Sequence, residues 1–367
     1  MVQNLVPLFL ANVLSASSAV IGLIEGVAEA LASLLKVASG YLSDRIGRRK
    51  DLAVLGYLIS ALSKVGFVLA TAWPHVALAR WGDRLGKGVR TAPRDALIAD
   101  SVAEAHRGLA FGFHRAADTA GALVGVLGAL AVVAWIQGQE PRLLEVTFRR
   151  VALLSLVPAF LAVLVLAAWA QEPPRRGRPA KREPRAALDR RFWVFLGVVA
   201  FFELANSADA FLALRAQTVG ANVVHILAML ALFNLVYAAL STPAGALSDR
   251  LSRKGVILFG WGIYALAYLG AALASSVLAM AAVYAIYGVY YGVAYGTTRA
   301  FVADLVPPAA RGTAYGAYAT VVGLMAFPAS FVAGLLWDAW GPAAPFFVSA
   351  AVAALASLGF FLLVKSD

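Results

Sequence analysis

The 367-residue chain is too apolar for a soluble protein of its length, because 61% of its residues are hydrophobic and only 14% are charged, whereas a soluble domain carries about 25% charged residues. Its net charge of +11 does not indicate nucleic-acid binding, because many Lys and Arg residues fall in short loops between apolar segments, as in membrane proteins. The absence of cysteine excludes disulfides, thiolate metal sites and thiol catalysis.

Eleven apolar segments follow the opening residues, and each can supply the ~20 residues of a membrane-spanning helix. In chain order they cover 16–39, 52–71, 75–97, 108–135, 150–170, 192–214, 222–244, 255–274, 276–298, 312–336 and 343–364. They lack the alternation of strands, so the sequence predicts an all-α integral membrane protein. The hydrophilic stretch 171–191 predicts a cytoplasmic linker between an N-terminal helical bundle (1–170) and a C-terminal helical bundle (192–367).

Two motifs recur in the same order in both halves. The stretch Gly40-Tyr-Leu-Ser-Asp44-Arg45 returns as Gly245-Ala-Leu-Ser-Asp249-Arg250, at an offset of 205. Asp100, followed by Arg107-Gly-Leu-Ala-Phe-Gly112, returns as Asp304, followed by Arg311-Gly-Thr-Ala-Tyr-Gly316, at an offset of 204. The shared offset predicts a parallel duplication of a six-helix bundle.

The same offset places the partner of the span that begins near Phe192 before residue 1. Met1–Val13 can then supply only the last part of helix 1, so we expect either a start upstream, which we favour, or a truncated helix 1. The Lys and Arg residues concentrate in alternate loops. By the positive-inside rule, this pattern predicts a multi-pass protein of the bacterial plasma (inner) membrane, with both termini cytoplasmic in the complete form.

The loop from Gly40 to Lys50, Gly-Tyr-Leu-Ser-Asp-Arg-Ile-Gly-Arg-Arg-Lys, resembles the signature between helices 2 and 3 of the major facilitator superfamily. In the second copy Ser252 stands where a Gly is expected. Gly40 permits close helix approach, and Asp44 can accept bonds at a helix N-terminus. The resemblance implies a latch of the outward-facing state, formed by Gly40, Asp44, Arg45, Gly47, Arg48, Arg49, Asp249 and Arg250. The alternative is that these charged residues are solvated and serve only to orient the chain in the membrane.

Helix 4 carries Arg84-x3-Gly88-x3-Ala92, which resembles the helix 4 arginine motif of the same superfamily. Six charged residues of this helix lie within an arc of about 120°: Arg80, Asp83, Arg84, Lys87, Arg90 and Arg94. Because a charge facing lipid at mid-membrane costs about 2.5–3.5 kcal/mol or more, this stripe must face acidic partners or a water-filled cavity.

Helix 2 supplies acidic partners on one narrow face, where Glu25, Glu29 and Lys36 align at helical spacing. A carboxyl group that gains and loses a proton as a cavity opens to each side couples a proton gradient to transport. Glu29 beside Arg84 or Lys87 is the first candidate for this role, with Glu25 as a second. The alternative is a permanent structural salt bridge.

Helix 5 carries His114 and Asp118 at i, i+4 spacing, which suits a hydrogen-bonded pair. The pair is predicted to be a proton relay, one arm of a cation site, or a packing cluster; no metal can be assigned. The stretches Arg84–Ser101 and Arg107–Asp118 resemble a bacterial permease branch that includes nickel-resistance efflux proteins. Helix 5 lacks the Pro of the antiporter motif, which argues against drug:proton antiport.

The second half has few charges in its spans. The predicted substrate-cavity residues come from both halves and are Lys36, Arg80, Asp83, Lys87, Glu203, Asn206, Asp209, Tyr287 and Tyr291. We expect Glu203 and Asp209 to be buried. Most tyrosines of helix 10, the span 276–298, are expected to be packing or interfacial residues, with the alternative that Tyr284, Tyr287, Tyr291 and Tyr295, which share one face, line the cavity.

These features predict a secondary active transporter rather than an enzyme. We expect proton-coupled efflux of a small solute or metal cation by alternating access, with proton-coupled uptake of a small organic solute as the alternative. The sequence contains no Gly-x4-Gly-Lys-Ser/Thr loop, so we expect no ATP drive. It shows neither the repeated selectivity elements of a channel nor a His-Glu-x-x-His metal motif of an enzyme, so a channel or a membrane-embedded enzyme is a remote alternative. We expect no cofactor and no nucleic-acid partner, and a monomer in the lipid bilayer that exchanges its substrate and protons.

Overall fold

The structure is a computed structural model that describes residues 2–103, 106–172, 188–248, 252–307 and 310–364. Within these ranges it does not describe the side chains of residues 44, 107–109, 112, 115, 116, 242, 245–248, 295 and 312. Asp249 and Arg250 therefore lie outside the described residues. In the described part all regular structure is helical, which confirms the prediction of an all-α fold.

A 3-10 turn, Val2–Leu5, opens the chain and runs into the first helix. The helices of the first half are α1 (Val6–Asn12), α2 (Ser18–Ile46), α3 (Arg49–Leu69), α4 (Trp73–Ser101), α5 (Arg107–Ile136) and α6 (Glu145–Trp169). Those of the second half are α7 (Arg190–Glu203), α8 (Ala210–Thr218), α9 (Val223–Ser248), α10 (Arg253–Leu273), α11 (Val277–Asp304), α12 (Arg311–Trp340) and α13 (Ala344–Leu363).

Nine helices of the described chain are long and apolar enough to cross a membrane, so the expected count of eleven spans is not confirmed. The helix α4 has the length, with 29 residues, but its stripe of charges lowers its hydropathy. The predicted span 192–214 is interrupted, because α7 ends at Glu203 and α8 begins only at Ala210. The sequence did not predict this break, since the apolar run is nearly continuous.

The chain forms two compact units. Of the described residues, 2–16, 27–103, 106–138 and 143–172 belong to the first unit, and 17–26, 139–142, 188–248, 252–307 and 310–364 belong to the second. The helix α2 is shared, because its first residues pack in the second unit and the rest of it in the first. Its N-terminal turn packs against α12 so closely that a Cβ on Gly22 would clash with the backbone of Ser330.

Glycine contacts hold the first unit together. A Cβ on Gly86 of α4 would lie 2.5 Å from the carbonyl oxygen of Gly56 and 2.7 Å from the backbone nitrogen of Ser60, both in α3. Because membrane helices associate through close backbone approach rather than a hydrophobic driving force, these glycines fix the α3–α4 contact that positions the charged stripe.

An aromatic core fills the second unit. Phe202 stacks on Trp261 with ring centroids 4.1 Å apart, and Tyr264 stacks on Tyr268 at 4.2 Å. Tyr264, Tyr268, Tyr284 and Tyr287 are fully or almost fully buried. Tyr284, Tyr287 and Tyr290 belong to the predicted helix 10, and their burial agrees with the expectation that most of its tyrosines are packing residues.

Candidate functional site

An ion pair in the first unit joins α2 to α4. Arg84 Nη2 lies 3.3 Å from Glu29 Oε1, with the Arg84 side chain 9% exposed and the Glu29 side chain 41% exposed. Glu29 is therefore a half-exposed, paired carboxylate. The helical spacing of α2 and the charged stripe of α4 predicted that Glu29 lies beside the α4 cations. They left open whether Arg84 or Lys87 is its partner.

Gly88 of the arginine motif brings the two helices together. A Cβ on Gly88 would lie 2.6 Å from the Cβ of Leu35 and 2.9 Å from the carbonyl oxygen of Ala32. Ser39 Oγ donates to the Gly88 carbonyl oxygen at 2.9 Å, and Gly40 lies against Ala92 further along. The motif glycine thus positions Arg84 to reach α2.

A second network surrounds Asp83, which is 2% exposed. Gln3 Nε2 donates to Asp83 Oδ2 at 2.5 Å, and Lys64 Nζ lies 3.4 Å from Asp83 Oδ1. Gln3 Oε1 also accepts from Arg84 Nη2 at 3.5 Å, so the amide of Gln3 links the two carboxylate sites. Sequence reasoning missed Gln3 and Lys64, because neither carries a motif that marks it.

Further along α4, individual cations have their own partners. Arg90 Nη1 donates to Ser60 Oγ at 2.5 Å and lies over the Tyr57 ring at 4.5 Å from the centroid. Arg94 pairs with Asp95 at 2.9 Å. Arg90 and Arg94 thus have partners outside α2. The substrate-cavity candidates Arg80, Asp83 and Lys87 precede them on the helix.

The remaining cavity candidates of the first unit differ in exposure. Arg80 is 5% exposed, Lys36 is half-buried, and Lys87 is exposed. Within the described residues, Lys87 makes no ion pair within 4.0 Å, although Glu29 and Arg84 act on it electrostatically. Lys87 is thus an exposed charge of α4 that stands three residues after Arg84.

The other coupling candidates differ from Glu29 in their burial. Glu25 is 4% exposed and belongs to the part of α2 that packs in the second unit. His114 is half-buried and Asp118 is exposed, and these two described side chains form no hydrogen bond with each other. Among the described residues, no three His, Asp or Glu side chains are grouped to hold a metal ion.

The predicted latch residues lie around the start of α3. Gly47 has φ of 68°, a left-handed conformation that glycine adopts freely at a helix C-terminus. Arg49 pairs with Asp100 of α4, and its Nη1 donates to the carbonyl oxygen of Ala96 at 3.3 Å. Arg48 pairs with Asp51 at 2.5 Å.

Two further latch candidates lie at the end of α2. Arg45 is exposed in the last turn of this helix, and Asp44 precedes it in the same helix, with its side chain outside the described part of the structure. The carboxylate observed at the N-terminus of α3 is that of Glu172, which accepts from the backbone nitrogens of Arg49 at 2.9 Å and of Lys50 at 2.7 Å.

The second unit repeats the Arg49 contact. Arg253 Nη1 lies 2.6 Å from both carboxylate oxygens of Asp304 and 3.3 Å from the carbonyl oxygen of Ala300. All three residues stand 204 positions after Arg49, Asp100 and Ala96. In the sequence, this repeated ion pair could have been predicted only from the offset that relates Asp100 to Asp304.

The break between α7 and α8 gathers the polar candidates of the second unit. Asn206 Nδ2 donates to Glu203 Oε2 at 2.9 Å, and Tyr287 Oη donates to Asp209 Oδ1 at 2.7 Å. Glu203 is 9% exposed, as expected, but Asp209 is exposed. The expectation that Asp209 is buried is wrong, because it stands at the end of the unwound segment rather than inside a helix.

Side chains from other helices satisfy the freed backbone of the break. Tyr264 Oη donates to the Ala205 carbonyl oxygen at 2.7 Å, and Ser330 Oγ accepts from the Ala208 nitrogen at 3.0 Å. Tyr287 is buried beside Tyr291, with ring centroids 5.1 Å apart. Broken helices whose backbone is satisfied in this way are found where transporters bind their cargo.

Sequence comparison identifies relatives along the whole chain. The profile of the Major Facilitator Superfamily matches residues 1–222 and again 206–367. An uncharacterized MFS-type transporter of Methanocaldococcus jannaschii is 34% identical over 344 residues, which is 92% of this chain and 84% of the relative. An uncharacterized protein of Mycobacterium bovis is 28% identical over 332 residues, covering 89% of this chain and 80% of the relative.

Solved structures share the fold at low sequence identity. A bacterial homolog of the human lysosomal transporter Spinster, crystallised inward-facing and occupied, has a TM-score of 0.79 at 20% identity and covers 98% of this chain and 92% of its own. A D-xylose-proton symporter has a TM-score of 0.79 at 18% identity, and the match covers 99% of this chain and 92% of the symporter. Both structures bear on the fold alone.

Proposed function

Because the chain belongs to the major facilitator superfamily, we propose that this multi-pass membrane protein is a proton-coupled secondary active transporter that moves a small solute by alternating access. In the proposal it acts as a monomer, and protons and the solute are its small partners. The single observation that carries the proton coupling is the half-exposed Glu29–Arg84 pair at 3.3 Å.

The pair supports coupling because it can exist in two charge states. With Glu29 ionised, Arg84 holds it across α2 and α4. When the two side chains separate, the carboxylate loses its strongest electrostatic partner and is stabilised by taking a proton. Separation of α2 from α4 at this level, or a competitor for Arg84, therefore changes proton occupancy. The Glu29 side chain is 41% exposed, and in the proposal water reaches the group on this side.

The direction of transport has two candidates. The resemblance of Arg84–Ser101 and Arg107–Asp118 to a permease branch with nickel-resistance proteins supports efflux. The charges beside Glu29 favour the second candidate, co-transport of solute and proton, because Arg80, Arg84 and Lys87 all act electrostatically on Glu29 and repel a cationic cargo.

The experiment uses purified protein in proteoliposomes that contain a pH-sensitive dye. Pyruvate, succinate, glycerol 3-phosphate, arabinose, tetraethylammonium and Ni²⁺ are added one at a time outside, and the proton flux is followed. We expect at least one of these solutes to drive proton entry or exit in the native protein, and the sign of the flux separates co-transport from exchange.

Glu29→Gln should reduce this solute-driven proton flux at least tenfold. The matched control is Glu145→Gln, which removes a carboxylate that pairs with Arg149 at 2.7 Å and is 53% exposed. Glu145→Gln should keep the native flux. Native proton coupling in Glu29→Gln would contradict the assignment, and solute flux indifferent to pH in the native protein would contradict proton coupling itself.

A further inference from the structure

The surface around Glu29 carries more positive than negative charge. The described cations of α2 and α4 at this level are Lys36, Arg80, Arg84 and Lys87. On α2, Glu29 pairs with Arg84, and Glu25 stands one turn before it in the same helix. The four cations outnumber these two acids of α2, and Asp83 is held by Lys64 and Gln3. A surplus of positive charge in a mid-span surface is costly unless an anion compensates it.

Two of these cations have donors to spare. Arg84 uses Nη2 for Glu29 and Gln3, whereas its buried Nε has no hydrogen-bond partner among the described residues. A guanidinium has five N–H donors in a planar fork that fits a carboxylate or phosphate. Lys87 is exposed and makes no ion pair within 4.0 Å in the described chain. Both side chains thus have unused capacity for anionic oxygens.

We propose that Arg84 and Lys87 bind the carboxylate or phosphate group of a small organic anion, which replaces Glu29 as the partner of Arg84. This inference rests on the proposed function, since it makes the anion the cargo and Glu29 the proton acceptor. As its carboxylate leaves Arg84, Glu29 takes up one proton from the solution, so one negative charge on the ligand replaces one on the protein. Anion and proton then bind together.

The competition makes anion binding depend on pH. Glu29 is faced by Arg80, Arg84 and Lys87 from α4, and the neutral amide of Gln3 bonds to Arg84 from the opening turn. At higher pH the ionised Glu29 competes with the ligand for these cations. At lower pH the neutral acid releases them. Affinity for the anion should therefore rise as pH falls.

The test measures binding to the intact chain in detergent, by thermal shift and tryptophan fluorescence at constant ionic strength. The probes are pyruvate and succinate for carboxylates, glycerol 3-phosphate for phosphates, and arabinose, tetraethylammonium and Ni²⁺ as neutral and cationic comparisons. We expect at least one of the three anions to bind, and the carboxylate and phosphate probes tell which group is recognised.

Three variants locate the site. Lys87→Gln should weaken binding of that anion about tenfold or more. Lys254→Gln, which removes the same charge where Nζ bonds to the carbonyl oxygen of Phe361, should leave binding unchanged. Glu29→Gln should bind the anion about tenfold more tightly at pH 8 than the native protein does, and its affinity should no longer change with pH. A merely structural salt bridge would not produce this gain.

Binding of none of the three anions, or binding of the cations alone, would overturn the proposal. So would native affinity in Lys87→Gln. The two proposals fail separately: anion binding that needs Lys87, together with intact proton coupling in Glu29→Gln, removes Glu29 as the coupling group and keeps the anion site. Loss of coupling in Glu29→Gln without any anion binding removes the anion site alone.

Discussion

Asp83 has the lowest exposure of the described charged side chains, at 2%, and it takes its partners from two other elements. Lys64 of α3 supplies the charge and Gln3 supplies an amide donor. Removing one partner from a buried pair leaves an uncompensated charge, which costs more than the pair itself contributes. Asp83 is thus a structural anchor for α4, in contrast to the half-exposed Glu29.

Replacing Lys64 tests this anchor. Lys64→Met should destabilise the protein by about 3 kcal/mol, because it removes the lysine that pairs with the buried Asp83 carboxylate. The double variant Lys64→Met/Asp83→Leu should recover most of this loss. Thermal unfolding in detergent, followed by tryptophan fluorescence, measures both.

The control for Lys64→Met is Lys254→Met, where the side chain donates to the Phe361 carbonyl oxygen near the helix surface. It should change stability by less than about 1 kcal/mol. A Lys64→Met protein as stable as the native one, or a double variant no better than the single, would contradict the anchor role of the pair.

The sequence predicted which faces of α2 and α4 carry charge, but not which side chains meet. Helical spacing alone puts Glu29 and the α4 cations on defined faces, and the superfamily glycines indicate close packing of their helices. Gln3 could not be predicted as a partner of Asp83, because the contact depends on how a 3-10 turn 80 positions away is placed. Likewise, Glu172 bonds to the start of α3 from beyond α6.

At the scale of elements, the long apolar helices were predictable and their ends and breaks were not. Apolar length sets a span, so α9 to α13 follow directly from the sequence. The break at 204–209 depends instead on tertiary bonds to its backbone from Tyr264 and Ser330. The only local signal was the polar group of Glu203, Asn206 and Asp209 in an apolar run.

The start of α2 depends on another helix in the same way. Asp338 of α12 accepts from the backbone nitrogen of Ser18 at 3.0 Å and from that of Ala19 at 2.8 Å. It thereby satisfies two of the four N–H groups that a helix leaves open at its N-terminus and places a negative charge at the positive end of the helix dipole.

Removal of this cap should therefore cost stability. Asp338→Ala should destabilise the protein by about 1–2 kcal/mol, the value of an N-terminal cap with its charge, and Asp338→Asn should cost about half as much, since it keeps one acceptor oxygen. Thermal unfolding of both variants in detergent gives the comparison. The control is Asp51→Ala, which breaks an exposed pair with Arg48 and should cost less than about 0.5 kcal/mol. Equal effects of Asp338→Ala and Asp51→Ala would contradict the capping role.

At the scale of the whole molecule, the duplication is visible in chemistry as well as in sequence. Each unit joins the first turn of one helix to the last turn of another through an arginine that binds a carboxylate and a carbonyl oxygen. The sequence predicted the duplication from motif offsets. It did not predict that Arg49 and Arg253 are the repeated partners, because the second loop departs from the first at Ser252, which instead caps α10 by accepting from the Gly255 nitrogen at 3.0 Å.

If the two pairs are equivalent, their removal should have equal and independent effects. Asp100→Asn and Asp304→Asn should each destabilise the protein by about 1 kcal/mol, because each weakens one partly exposed, charge-assisted contact. The double variant should lose the sum within about 0.5 kcal/mol, since the sites share no partners. Thermal unfolding of the three variants, with Asp95→Asn as the control for loss of a carboxylate on α4, measures this. A negligible effect of one variant beside a large effect of the other would contradict the equivalence, and a double variant far from the sum would show that the two arginine contacts are coupled.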